Sequence, residues 1–132
     1  MKKVAMILKS CDYESSMSAL MLANASAIQG SEVHIYMIFT GVRIAKTGYR
    51  PRFRGLMAPL TGVFERRLKK QGFDTFKDQL AVAQELGVKL YVCDLCVRIG
   101  LLKVEQLIDG VEVIGMPRFA EIADESDSRF SF

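Results

Sequence analysis

Four short apolar runs, residues 3–8, 32–39, 88–93 and 110–115, constrain this chain more than any other feature. Each has strand length, carries β-branched or aromatic residues, and is bounded by turn formers. In the second, Val33, Ile35, Met37 and Phe39 alternate with His34, Tyr36 and Ile38. Strands separated by helical segments are not hairpins; right-handed crossovers join them into a parallel sheet with helices on both faces. The expected fold is therefore α/β, a single-domain, doubly wound sheet of the flavodoxin-like kind. At 132 residues the chain has the length of one domain and can bury a core without disulfide or metal staples. The domain is expected to span 1–123, and the acidic, polar residues 124–132 read as a tail that frays.

Between the first two runs, Ser15 or Ser16 can cap a helix that carries Met17, Leu20, Met21, Leu22, Ala25 and Ile28 and stops at Gly30. Its apolar residues cover more than one stripe, so a second face must also pack, and a subunit interface is the expected cover. Residues 40–62 lose periodicity among Gly41, Gly48, Pro51, Gly55, Pro59 and Gly62 and read as loop, with a turn of helix near Arg43. A short helix over 63–70 ends at Gly72, and Thr75 with Asp78 forms a capping-box pattern that opens a stronger helix to Leu86. A turn or helix is expected around 102–108.

No run approaches the roughly 20 apolar residues of a membrane-spanning helix. The five apolar residues after Lys2-Lys3 are too few for a signal peptide. A cytoplasmic location is expected. Three cysteines, an odd number, argue against a disulfide framework and for free thiols. The net charge of +3 is unevenly spread: residues 1–73 hold twelve Lys and Arg against four acids, a net +8, and residues 74–132 hold six against eleven, a net −5. Such a split suits an anionic partner or subunits that meet through opposite charges.

In a parallel sheet the carboxyl ends of the strands gather at one edge, where ligands and reactive groups collect. Cys11 and Cys93 both fall there. Cys93 closes an apolar strand and precedes a segment, 94–100, that can open a helix, and a helix N-terminus favours the thiolate. The alternative is that Cys93 ends the strand as a small buried hydrophobe. Cys96 makes a Cys-x-x-Cys pair with it, a spacing that serves a redox couple or half of a zinc site. Zinc normally takes four N or S ligands, and only Cys11 and His34 remain to complete a set; His34 lies in a strand pattern, and no metal is expected. With a single histidine and no Gly-rich phosphate loop, hydrolase and nucleotide-enzyme readings are weak.

Arg43, Lys46, Arg50, Arg52, Arg54, Arg66, Arg67, Lys69 and Lys70 crowd the loop and short helix, with Glu65 the one acid among them. Tyr49 and Phe53 are interleaved, as in a nucleic-acid groove. The other readings are a solvated face, or docking of an acidic partner or anionic donor through Arg43, Arg50, Arg52 and Arg54; docking is preferred over nucleic acid.

Four stretches form a further pattern: Ala19-Leu20-Met21-Leu22-Ala23-Asn24-Ala25, Tyr36-Met37-Ile38-Phe39-Thr40-Gly41-Val42, the stretch from Glu85 through Gly87 to Cys93, and, the strongest, Gly100-Leu101-Leu102-Lys103 leading to Leu107-Ile108-Asp109-Gly110-Val111-Glu112. In these the sequence resembles the DsrE/DsrF-like family, in its peroxiredoxin-like branch. The resemblance implies a flavodoxin-like homo-oligomer without an organic cofactor. It also implies sulfane sulfur held as a persulfide on the strand-end cysteine, which matches Cys93, and exchanged with donor and acceptor proteins or small persulfides. Two departures stand out: Cys96 lies where many relatives have serine, and the stretch from Cys93 to Gly100 is one residue shorter than the family pattern. Cys96 is then a candidate second thiol and Cys11 a neighbour across the edge. A Cys93/Cys96 redox couple and a non-enzymatic binding module with a basic docking loop are the alternatives.

Overall fold

The computed structural model describes all residues 1–132. Five strands, β1 (Lys3–Leu8), β2 (Glu32–Met37), β3 (Lys89–Cys93), β4 (Val111–Ile114) and β5 (Ser128–Ser131), form one sheet in the order β4-β3-β2-β1-β5, and every pairing is parallel. The helices are α1 (Tyr13–Ile28), α2 (Thr61–Lys70), α3 (Phe76–Glu85), α4 (Asp94–Arg98) and α5 (Met116–Asp124). None is long and apolar enough to cross a membrane.

The two faces of the sheet have different owners. Leu8, Ile35, Met37 and Leu90 meet Ala19 and Leu20 of α1, Leu80 of α3, and Ile108. On the other face Tyr36 stacks on Phe119 of α5, with ring centroids 4.6 Å apart, a contact worth about 0.5–1.5 kcal/mol beyond its buried area. Successive crossovers thus carry the chain from β1 to β4 along one face, and α5 returns it along the other to place β5 beside β1. Connections leaving β3 and β4 diverge, which makes the carboxyl ends of these two strands a topological switch point.

Several expectations are corrected. Asp12 caps α1, accepting from the Ser15 N–H at 3.2 Å; Ser15 and Ser16 lie inside the first turn, because the aspartate three residues upstream reaches the free N–H first. The second face of α1 packs in part on α3 of the same chain, where Asn24 donates to the Gln79 carbonyl at 3.0 Å, while Met21 and Ile28 stay exposed. In residues 40–62 the turn of helix expected near Arg43 is present as the 3₁₀ helix Phe39–Ala45, and a second 3₁₀ helix, Gly55–Leu60, occupies a stretch read as loop. The stretch 124–132 does not fray. Its residues 128–131 pair with β1, and the Asp127 N–H donates to the Lys3 carbonyl at 2.8 Å, so backbone pairing outweighs polar side chains that an edge strand can leave in water.

His34 is buried at the opposite end of β2, with Nδ1 2.8 Å from the Tyr91 hydroxyl and Nε2 3.3 Å from the Glu32 carboxylate. Burial holds its pKa below the ordinary 6.5, against the pull of Glu32. The native state therefore keeps His34 neutral while the unfolded chain takes up a proton. The stabilisation from this site is complete above about pH 6.5 and is lost as pH falls through the lower native value. Unfolding free energy measured between pH 7 and 5 is expected to fall, and to do so less steeply in His34→Gln. An equal slope in both proteins would assign the loss to other groups.

Candidate functional site

Cys93 is the last residue of β3 and the residue that precedes α4. Its neighbours converge from three elements. Tyr36 reaches across from β2 and its hydroxyl donates to the Ile114 carbonyl, at the end of β4, at 3.2 Å. The same hydroxyl lies beside the Cys93 sulfur, as do the N–H groups of Leu95 and Cys96 in the open first turn of α4. Burial pushes the Cys93 thiol up; the Tyr36 hydroxyl, the two N–H groups and the Cys96 thiol outweigh it, and the net displacement is downward. A thiol lowered in this way offers more thiolate at neutral pH, and the thiolate is the nucleophile.

Cys96 behaves oppositely. It is 1% exposed against 8% for Cys93, so it is the less accessible of the two. Burial raises its pKa, the Phe39 N–H works against that rise, and the charge on Cys93 adds to it. The Phe39 N–H donates to the Cys96 sulfur at 3.1 Å. Phe39 itself stands at φ 51, the one non-glycine residue with positive φ, a conformation that costs about 1 kcal/mol or more. Its strained turn aims a main-chain donor at the second sulfur of the pair. Both cysteines are free thiols.

Cys11 follows β1 and lies in a separate cavity. This cavity, about 780 Å³, is lined by Asp12, Lys46, Tyr49, Arg50, Arg52 and Arg54 among others. The Tyr49 hydroxyl is 3.4 Å from the Cys11 carbonyl oxygen. Burial, then the Cys11 thiol beside it, push the Tyr49 hydroxyl up to about 12. No hydrogen bond joins Cys11 to Cys93 or Cys96. Of the four arginines expected to dock a partner, Arg50, Arg52 and Arg54 share this cavity and Arg43 does not line it. The interleaved aromatics are not a stacking platform: Phe53 packs on Tyr13 and Phe64, with centroids 4.9 and 5.4 Å away, and Tyr49 turns toward Cys11.

Sequence reasoning located the three sulfurs and missed the groups that tune them. Tyr36 read as one more apolar strand residue, although a tyrosine with both faces of its strand buried must find a partner for its hydroxyl. The Phe39 N–H is a main-chain donor and left no signal in side-chain types.

These features define a compact α/β protein with a strand-end thiol at a switch point. The chain belongs to the DsrE/DsrF-like family, whose sequence profile matches residues 2–132. It is 24% identical over 153 aligned residues to a protein of Allochromatium vinosum named sulfur carrier protein DsrE2, covering 96% of this chain and 95% of that one. It is 27% identical to the uncharacterized protein MJ0989 of Methanocaldococcus jannaschii, covering 98% and 99%. Among solved structures, the ychN protein from E. coli superposes with a TM-score of 0.73 at 20% identity over the whole of both chains.

Proposed function

We propose that this protein is a sulfur relay that carries sulfane sulfur as a persulfide on Cys93. The observation that carries the reading is the pairing of a lowered, strand-end thiol with donors from β2 and α4 in a chain of this family. The Allochromatium protein's name, sulfur carrier, supports the same cargo. In the loading step the Cys93 thiolate attacks the outer sulfur of a donor persulfide. A Cys93 Sγ–S bond forms, the donor S–S bond breaks, and the donor leaves as a thiolate with the electron pair. The proton of the donor S–SH stays on the transferred sulfur. An acceptor thiolate repeats the exchange and returns Cys93 to its starting state, so the cycle consumes no oxidant or reductant and amounts to sulfurtransferase-like persulfide transfer. Free thiols of this kind suit a reducing compartment, the cytoplasm being the proposed one.

Reduced protein incubated with a small persulfide donor is expected to gain the mass of one or more sulfur atoms, and Cys93→Ser to gain none at the position of the missing thiol. Intact-mass spectrometry with peptide mapping reads both. Equal loading of Cys93→Ser, or no loading of the parent protein, would sink the carrier reading.

A second reading draws on the Cys96 thiol beside Cys93: the pair cycles between dithiol and disulfide, reducing a disulfide partner. It requires both sulfurs. A redox titration in which Cys96→Ser keeps a two-electron couple would remove it. In either reading the chain is proposed to self-associate, supported by the exposed apolar residues Leu56, Met57, Leu60, Val63 and Phe64. Sedimentation at a monomer's rate across micromolar concentrations would count against assembly.

A further inference from the structure

The open cavity around Cys11 is rich in basic residues, and the relay does not use it. Lys46, Arg50, Arg52 and Arg54 are exposed and all line it, and its volume of about 780 Å³ is in the range of small-molecule sites. Asp12 is the only acid in the lining, and it is already engaged: its carboxylate caps α1 through Ser15 and takes Arg54 at 3.1 Å. Lys46, Arg50 and Arg52 make no ion pair with any carboxylate. Like charges gathered around one cavity repel, and an anion in the cavity relieves that repulsion. Apart from Cys11 and Tyr49 the lining is polar, charged or glycine, which disfavours an apolar occupant. The turn that brings Lys46 and Tyr49 together is closed by the Tyr49 N–H donating to the Lys46 carbonyl at 3.1 Å.

We propose that this cavity binds a sulfur oxyanion of the thiosulfate class and presents its outer sulfur to Cys11; the choice of a sulfur-bearing anion rests on the relay reading above. The Cys11 thiolate attacks the outer sulfur, a Cys11 Sγ–S bond forms, and the S–S bond of thiosulfate breaks. Its electron pair leaves with sulfite, so a monoanion and a dianion give a persulfide anion and a sulfite dianion with no further reactant. Lys46, Arg50 and Arg52 face the charge that grows on the departing sulfite.

The test incubates reduced protein with thiosulfate, with sulfate and phosphate as competitors, and measures sulfite release together with the mapped sulfur adduct. Thiosulfate is expected to place sulfur on Cys11 and release one sulfite for each adduct, and Cys11→Ser to do neither. Sulfate is expected to slow the reaction. The folded double variant Arg50→Gln/Arg52→Gln, checked by its circular dichroism, is expected to lose about tenfold or more in initial rate, from two charged contacts. An adduct found on Cys93 in Cys11→Ser, no adduct at all, or an unchanged rate in the double variant would overturn the proposal. Mapping separates the two hypotheses: failure of a persulfide donor to load Cys93 counts against the relay alone, and failure of thiosulfate to load Cys11 counts against this site alone.

Discussion

Gly41→Ala is expected to destabilise the protein by about 3 kcal/mol or more and to lower its melting temperature by on the order of 10 °C. A Cβ at this position would lie 2.1 Å from the Leu8 carbonyl oxygen, 2.9 Å from its carbon and 3.3 Å from the Lys9 carbonyl carbon. All three are backbone atoms, so no side chain can swing aside. The Leu8 oxygen is also committed, accepting from the Ile38 N–H at 3.0 Å. Relief therefore requires either the end of β1 or the 3₁₀ helix Phe39–Ala45 to move. Movement of the 3₁₀ helix would pull the Phe39 N–H from the Cys96 sulfur, so by that route the thiol pair should lose order along with the fold. Chemical unfolding of Gly41→Ala checks the first claim, and alkylation of Cys96 in the native state checks the second. A melting temperature within about 2 °C of the parent would show that the close approach is easily relaxed.

Tyr36→Phe should have the largest effect on chemistry while leaving the fold nearly intact. The ring that stacks on Phe119 is kept, and only the hydroxyl is removed. That hydroxyl donates to the Ile114 carbonyl when Cys93 is a thiol, and it can turn its proton to the sulfur when Cys93 ionises. Since the Tyr36 hydroxyl is the largest of the influences lowering the Cys93 thiol, its loss should move that thiol up. A hydrogen bond to a charged group is worth about 1.5–3 kcal/mol, so the alkylation rate of Cys93 near pH 7 should drop by roughly tenfold or more. The pH profile of alkylation should shift to higher pH, a change that a loss of packing would not cause. An unshifted profile would assign the activation of Cys93 to α4 alone.

Much of the architecture was legible because apolar strands and glycine stops leave marks on side-chain type. Lys3 to Leu8, the strand ending in Cys93 and the Thr75–Asp78 capping box all appear as read. What escaped was backbone-driven. The 3₁₀ segments carry no apolar period, and α5 hides behind polar neighbours although Pro117 in its first turn and the buried pair Phe119 and Ile122 mark it. β5 is Ser-Arg-Phe-Ser, and only its neighbour β1 makes it a strand. At the site, the position of Cys93 at a strand end was readable, whereas Tyr36, 57 residues earlier, meets it only through the register of β2 and β3.

The placement of β5 also bears on how the protein is made. β1 pairs with β2 once residues 32–37 have emerged, but its other flank is covered only by residues 128–131. Until residues 128–131 follow, the ribosome holds out a sheet in which β1 has a bare flank of unpaired N–H and C=O groups. Such a flank is a template for strand addition by another nascent chain. Crowded polysomes are where this sheet is most exposed to mispairing, and holding factors that grip extended apolar segments would act on β1 until the last strand arrives.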